Sequence, residues 1–196
     1  MPQTSSQAVT SGDRRVQRTR AALFEAVVRL VSERGTTSIA VTDLADAAGV
    51  SRQVVYLQFG DRDALLAAAA MDLTERELYP LFSDLTEATL RSRILSAATF
   101  LAHHHRFYRP LVTGSGAFAL RIAAGRSFAA LHRRASLPVL EALSPATRAA
   151  AATFVVGGTM AVIDDWLLAA DGEPDPRVLT ERLTALSATF TGLSPT

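Results

Sequence analysis

A chain of 196 residues with 48% hydrophobic and 20% charged residues can build a sizeable core, which excludes an intrinsically disordered protein. It holds no cysteine, which excludes disulfides, thiol nucleophiles and thiolate metal sites and fits a cytoplasmic setting. The net charge of +1 says little about partners, and no uninterrupted apolar run reaches the roughly 18 residues of a membrane span.

The N-terminal stretch is polar and rich in Ser, Thr and Gln, without the apolar segment of a secretory leader, so a disordered tail is expected over residues 1–13. From Asp13 a helical period takes over. Leu23, Val27, Leu30 and Val31 share one face, with Arg20, Glu25, Arg29 and Glu33 off it. Gly35 is placed to end that helix.

Two short apolar-periodic pieces follow, Val41 to Ala48 and Arg52 to Phe59, joined by Gly49, Val50 and Ser51. Two short helices around a tight glycine turn are how helix-turn-helix proteins set a recognition helix into the major groove. Gly49 supplies a positive φ. Ser51 is placed to cap the second helix and leave its amides facing phosphate. Leu44, Ala45, Ala48, Val55 and Phe59 then form a small core. Arg52, Gln53, Tyr56 and Leu57 are left on the outer side. Arg suits the acceptors of guanine, and Gln suits adenine. Arg14, Arg15, Arg18 and Arg20 would add basic contacts or a solvated basic stripe.

Asp61 is a cap for a helix from Arg62 to about Leu78, which Pro80 is expected to end. Glu87 to about His105 reads as helix, Pro110 and Gly114-Ser115-Gly116 as breakers, and Ala117 to about Arg134 as helix. A new start or kink is expected at Pro138. Ser144-Pro145 opens a helix to about Ala170 and Asp175-Pro176 another to about Phe190. No alternating strand pattern occurs, so the fold class is all-α.

The segments Thr19 to Phe24 with Glu33-Arg34-Gly35, Leu44 to Ser51, and Tyr56 to Leu65 keep register with one another and strongly resemble the TetR family of transcriptional regulators. The resemblance implies an N-terminal three-helix DNA-binding domain, residues 14–62. A C-terminal helical bundle, residues 63–196, would serve ligand binding and dimerisation. It also implies a homodimer on double-stranded operator DNA, released by a small-molecule effector. The DNA-contacting residues would be Thr42, Ser51, Arg52, Gln53, Val54, Tyr56, Leu57 and Arg62. Tyr56 and Arg62 would meet phosphates. Ala40 stands where the family usually caps the second helix with a hydroxyl, leaving Thr42 or Ser38 to do so. Val54 stands where Thr is frequent and Arg62 where Lys is usual.

Residues 91–134 hold eight Arg, all four His and no acid. Adjacent helical residues diverge by about 100°, so His103, His104 and His105 do not converge on one ion, and no metal or cofactor is expected. Phe100, His103, His104, Phe107, Phe118, Arg121, Ile122 and Trp166 are candidates to line a hydrophobic effector site, with plain core packing as the alternative for the aromatics, a solvated turn for the histidines and solvent exposure for Arg121. Phe154 to Ala170 is apolar almost all round, and Phe154, Gly157, Gly158, Ala161 and Asp165 are candidates for a dimer interface. Asp164 and Asp165 lack a basic neighbour in sequence. Thr113-Gly114-Ser115-Gly116 lacks the glycine pattern and preceding strand of a nucleophile elbow. With no convergent acid, base and nucleophile, an enzyme is not expected. A non-DNA-binding all-α enzyme or carrier is the alternative from another class, and a DNA-binding regulator without a small effector is the third reading.

Overall fold

The structure is a computed structural model that describes residues 11–83, 90–134 and 144–191. Every regular element among them is helical. The first, α1 (Ser11–Arg34), buries Leu23, Phe24, Ala26, Val27, Leu30 and Val31, the face its periodicity defines. Gly35, at φ 63°, ends it and returns its amide to the Val31 carbonyl at 2.9 Å. Then come α2 (Val41–Ala47), α3 (Arg52–Phe59) and α4 (Arg62–Leu73). The Asp61 carboxylate caps α4 by accepting from the Ala64 amide at 2.7 Å.

Three of the sequence expectations about helix boundaries are corrected. Residues 1–10 of the expected tail lie outside the described residues, but 11–13 form the first turn of α1, where Asp13 meets the positive end of the helix dipole. Pro80 does not end the helix after α4. A π-helical turn, Thr74–Leu78, bonds the Tyr79 amide to the Thr74 carbonyl, and α5 (Tyr79–Ser83) runs on through Pro80. The wider turn opens the backbone where a proline ring would otherwise collide with a carbonyl. Pro110 is likewise no breaker. The described helix α6 (Leu90–His103) stops at His104, and α7 (His105–Thr113) carries Pro110 inside it as its sixth residue, at the cost of the one hydrogen bond its missing N–H would donate. The chain breaks instead at Gly114–Gly116, before α8 (Ala117–Arg134).

The expectation at Pro138 lies outside the described residues. Helix α9 (Pro145–Ala169) opens on Ser144, whose hydroxyl accepts from the Thr147 amide at 3.2 Å. Helix α10 (Pro176–Thr191) opens on Asp175, whose carboxylate accepts from the Arg177 amide at 2.8 Å.

One continuous cluster of buried residues runs from Leu23 through Leu44, Val55, Leu66, Phe107, Leu111 and Trp166 to Leu179. Helix α4 joins the two parts of this core, packing on α1 on one side and α8 on the other. Helix α6 packs on α10, and α9 on α8, α10 and α7. The Arg109 guanidinium on α7 donates to the carbonyls of Leu167, Ala170 and Gly172, satisfying the C-terminal end of α9. Helix α9 is long and apolar enough to cross a membrane by length and composition, with hydropathy 1.4 and 6% of that window buried in the chain.

Candidate nucleic-acid interface

The turn between α2 and α3 is built from backbone. Ala48 ends α2, Gly49 sits at φ 67°, and the Val50 amide reaches back to the Ala45 carbonyl at 2.9 Å. Val50 packs on the core beside Ala48, while Leu44, Ala45 and Val55 are buried beneath it. The second helix is thus fixed by its inner side. Its outer side carries Arg52, Gln53, Tyr56 and Leu57, all exposed, with Tyr56 at 51% and Leu57 at 84% exposure. Val54 is half-buried, and Ser51 and Thr42 are exposed. Seven of the eight sequence-derived positions therefore lie on α2, α3 and the turn between them, and Arg62 opens α4.

The capping expectations are corrected. Ser51 occupies the N-cap position of α3 in an extended conformation, but its side chain makes no capping hydrogen bond. Ala40 is the N-cap of α2, without a side-chain cap, so neither Thr42 nor Ser38 replaces the missing hydroxyl. Helix α2 is held instead by the Arg34–Asp43 ion pair at 2.7 Å and by burial of Ile39 and Leu44. The uncapped Ser51 leaves the first amides of α3 without a side-chain acceptor from it, and such amides favour an anion.

Two features of this head were not foreseen. Phe24 and Phe59 meet edge to face at 5.6 Å, and the Arg20 guanidinium lies over both rings, 5.4 and 4.9 Å from their centroids. Arg20 therefore braces α1 against α3, whereas Arg14, Arg15 and Arg18 are exposed. Arg62 is not a free cation. Its Nε donates to Asp63 at 3.1 Å and its Nη2 to the Ser115 hydroxyl at 2.8 Å. No local pattern signals the second contact, which spans 53 residues.

The residues expected around an effector separate into two sets. Phe100, Phe107 and Trp166 are core, with the Trp166 indole donating to the Asp175 carbonyl at 3.0 Å. His103, Phe118, Arg121 and Ile122 lie on the surface of the single chain, Phe118 at 77% exposure. Between them His104 lies tilted against the Phe100 ring, centroids 4.9 Å apart, and meets Glu77, a carboxylate distant in sequence, at 2.8 Å. His105 turns to the Ala102 carbonyl, while the His103 and His104 rings meet edge to face with centroids 4.8 Å apart. Arg121 pairs with Asp164 at 2.6 Å and Arg182 with Asp165 at 3.1 Å, so both aspartates have the basic partners that sequence proximity withheld. A cleft of about 380 Å³ between α1 and α4, lined by Gln17, Arg20, Phe24, Met71, Asp72 and Glu75, includes none of the expected effector residues.

Residues 21–69 match the family model described as bacterial regulatory proteins, tetR family. Among curated proteins, none matches the chain by sequence. Solved structures share its fold over nearly its whole length. A protein from Rhodococcus sp. described as a TetR-family transcriptional regulator superposes with TM-score 0.59 at 18% identity, covering 91% of this chain and 100% of its own. The fatty acid degradation regulator FadR of Bacillus halodurans gives TM-score 0.58 at 18% identity, covering 89% of this chain and 99% of its own. At such identities the likeness is one of fold.

Proposed function

We propose that the chain, whose residues 21–69 match the model of bacterial regulatory proteins of the tetR family, is a ligand-responsive repressor that binds double-stranded operator DNA as a homodimer and is released by a small hydrophobic molecule. The observation that carries the DNA-binding part is α3. A short helix locked by buried Val55 presents a tyrosine, an arginine, a glutamine and an almost fully exposed leucine to solvent. Exposed in this way among the described residues, such a side chain set suits a major groove. Arg52 and Gln53 read base edges, Leu57 and Val54 meet thymine methyls, and Tyr56 and Arg62 hold phosphates.

The homodimer reading rests on α9. Phe154, Gly157, Gly158 and Ala161 are exposed along an apolar helix, and Asp165 lies beyond them at the edge. Small residues let a second helix approach closely, and a partner copy would bury this face. The ion pairs from Asp164 to α8 and Asp165 to α10 support a helix within a protein bundle over one in a bilayer, and binding to operator DNA would require a cytoplasmic protein. One observation favours a regulator without a small effector: Phe100, Phe107 and Trp166 are packed into the common core.

Selection of bound duplexes from a random pool with the purified protein tests the reading. The expected outcome is enrichment of a two-fold symmetric sequence, each half-site matching one α3. A pool that returns no enriched sequence overturns it. Thermal-shift screening of aromatic acids and lipophilic antibiotics tests the effector part separately.

A further inference from the structure

The loop Gly114–Gly116, between α7 and α8, reaches across to the DNA-binding head at two places. A Cβ on Gly114 would overlap the Thr37 hydroxyl and come within 2.9 Å of the Pro110 carbonyl oxygen, and Thr37 is buried in the α1–α2 connection. The backbone of the loop is therefore seated against the head as only a glycine permits. Beside it a Cβ added to Gly116 would come into ordinary van der Waals contact with Asp63, at 3.7 Å. Between the glycines, the Ser115 hydroxyl accepts from Arg62 Nη2 at 2.8 Å and donates to Asp63 Oδ1 at 3.0 Å, while Arg62 Nε donates to the same Asp63 oxygen at 3.1 Å. Three side chains close a triangle, two from the start of α4 and one from the α7–α8 loop, more than fifty residues on in sequence.

Resting on the DNA-binding reading above, we propose that Ser115 is a positioning residue for Arg62, holding its guanidinium against Asp63 and so limiting what it offers a DNA phosphate. Arg62 and Asp63 are each about a third exposed, so their ion pair alone is weak. The hydroxyl adds direction, because it fixes Nη2 toward the loop and satisfies Asp63 at the same time. A phosphate and Ser115 compete for the same N–H group. The position of the α7–α8 loop thereby sets the strength of one backbone contact without touching base recognition.

Fluorescence titration of a labelled duplex, with the full chain, tests this. Ser115→Ala is expected to raise DNA affinity roughly two- to tenfold, the scale of one hydrogen bond, with unchanged sequence preference. Ser115→Thr, which keeps the hydroxyl, should restore the parent value. In an Arg62→Ala background the effect of Ser115→Ala should vanish, as coupling through Arg62 requires. An unchanged or lowered affinity, or a gain that persists without Arg62, overturns the proposal. A second measurement needs no DNA. Nitrogen-15 NMR of the Arg62 guanidinium should show a side chain restrained in the parent and mobile in Ser115→Ala, and equal mobility in both overturns the clamp. A restrained Arg62 in a protein that binds no duplex would instead overturn the DNA-binding reading.

Discussion

Tyr56 and Arg62 would both act on the DNA backbone, but through different physics. Tyr56 offers a neutral donor from an exposed position on α3, and Arg62 a charge at the start of α4. Tyr56→Phe and Arg62→Ala should each weaken binding to all duplexes alike. Only Arg62→Ala should reduce the salt slope, by about one. Loss of preference at a single base position, with the slope intact, would contradict the phosphate role, and a titration at several salt concentrations decides it. Tyr108 is a different kind of residue. Its hydroxyl is buried under α4, donating to the Ala70 carbonyl at 3.1 Å and lying 2.9 Å from the Thr74 hydroxyl. Burial pushes the phenol well above its ordinary value of 10.0, with Thr74 opposing and Glu77 and Tyr79 adding to the shift. The folded state then keeps the proton after the unfolded chain has begun to lose it. Stability is fully present below about pH 10 and falls as the pH rises beyond it. Tyr108→Phe should cost about 1 kcal/mol at neutral pH and flatten that alkaline loss, measured by denaturant titration from pH 7 to 11.

Two glycines show how elements are joined for opposite reasons. Gly49 has a positive φ, and a Cβ there meets nothing within 4 Å, so Gly49→Ala costs only backbone strain. That is roughly 1–2 kcal/mol, and the cost should appear as loss of stability with a head that still binds DNA if refolded in excess duplex. Gly114 has an ordinary φ of −79°, and its constraint is space. Gly114→Ala must push the α7–α8 loop off Thr37 or shift Pro110, with an expected loss of about 1–3 kcal/mol. If thermal unfolding shows Gly114→Ala to be as stable as the parent, the close approach of loop and head is wrong. The π-turn at Thr74–Leu78 belongs to the same scale. It lets a helix read as ending at Pro80 continue past it, and its Glu77 meets His104 at the junction of α6 and α7.

At the scale of the molecule the main asymmetry lies in α9, whose last turns bury Trp166 and Leu167 while Phe154 stands at 67% exposure. A single chain leaves that apolar surface in water, and a stable partner contact needs roughly 800 Å² from each copy. Gly158→Arg or Ala161→Arg puts a long charged side chain on the face and should yield monomers or aggregates in analytical ultracentrifugation. A variant that still sediments as a stable dimer would place the interface elsewhere. The DNA-binding head and the helical bundle are packed around one hydrophobic core, with α1 on one side of α4 and α8 on the other.

The sequence by itself determined the all-α class, the turn at Gly49, the buried and outer faces of α3 and the helix starts at Asp61, Ser144 and Asp175. Each is set within a few residues, by the 3.6-residue period, by one positive φ or by one side-chain oxygen. It misjudged Pro80 and Pro110, because a proline's effect depends on how the preceding carbonyls are arranged, which the π-turn changes before Pro80, and on whether packing offsets the one hydrogen bond lost, as at Pro110 inside α7. It did not reveal the partners of Arg62, Arg121 or His104. Those contacts join residues 53, 43 and 27 positions apart, and such pairing depends on which helices pack together. Tertiary structure alone separated the aromatic residues, because a period of 3.6 marks a helix face without saying whether that face meets a core, a solvent boundary or another copy of the chain. Phe107 went inside and Phe118 outside by the way α7 and α8 pack against α1 and α4.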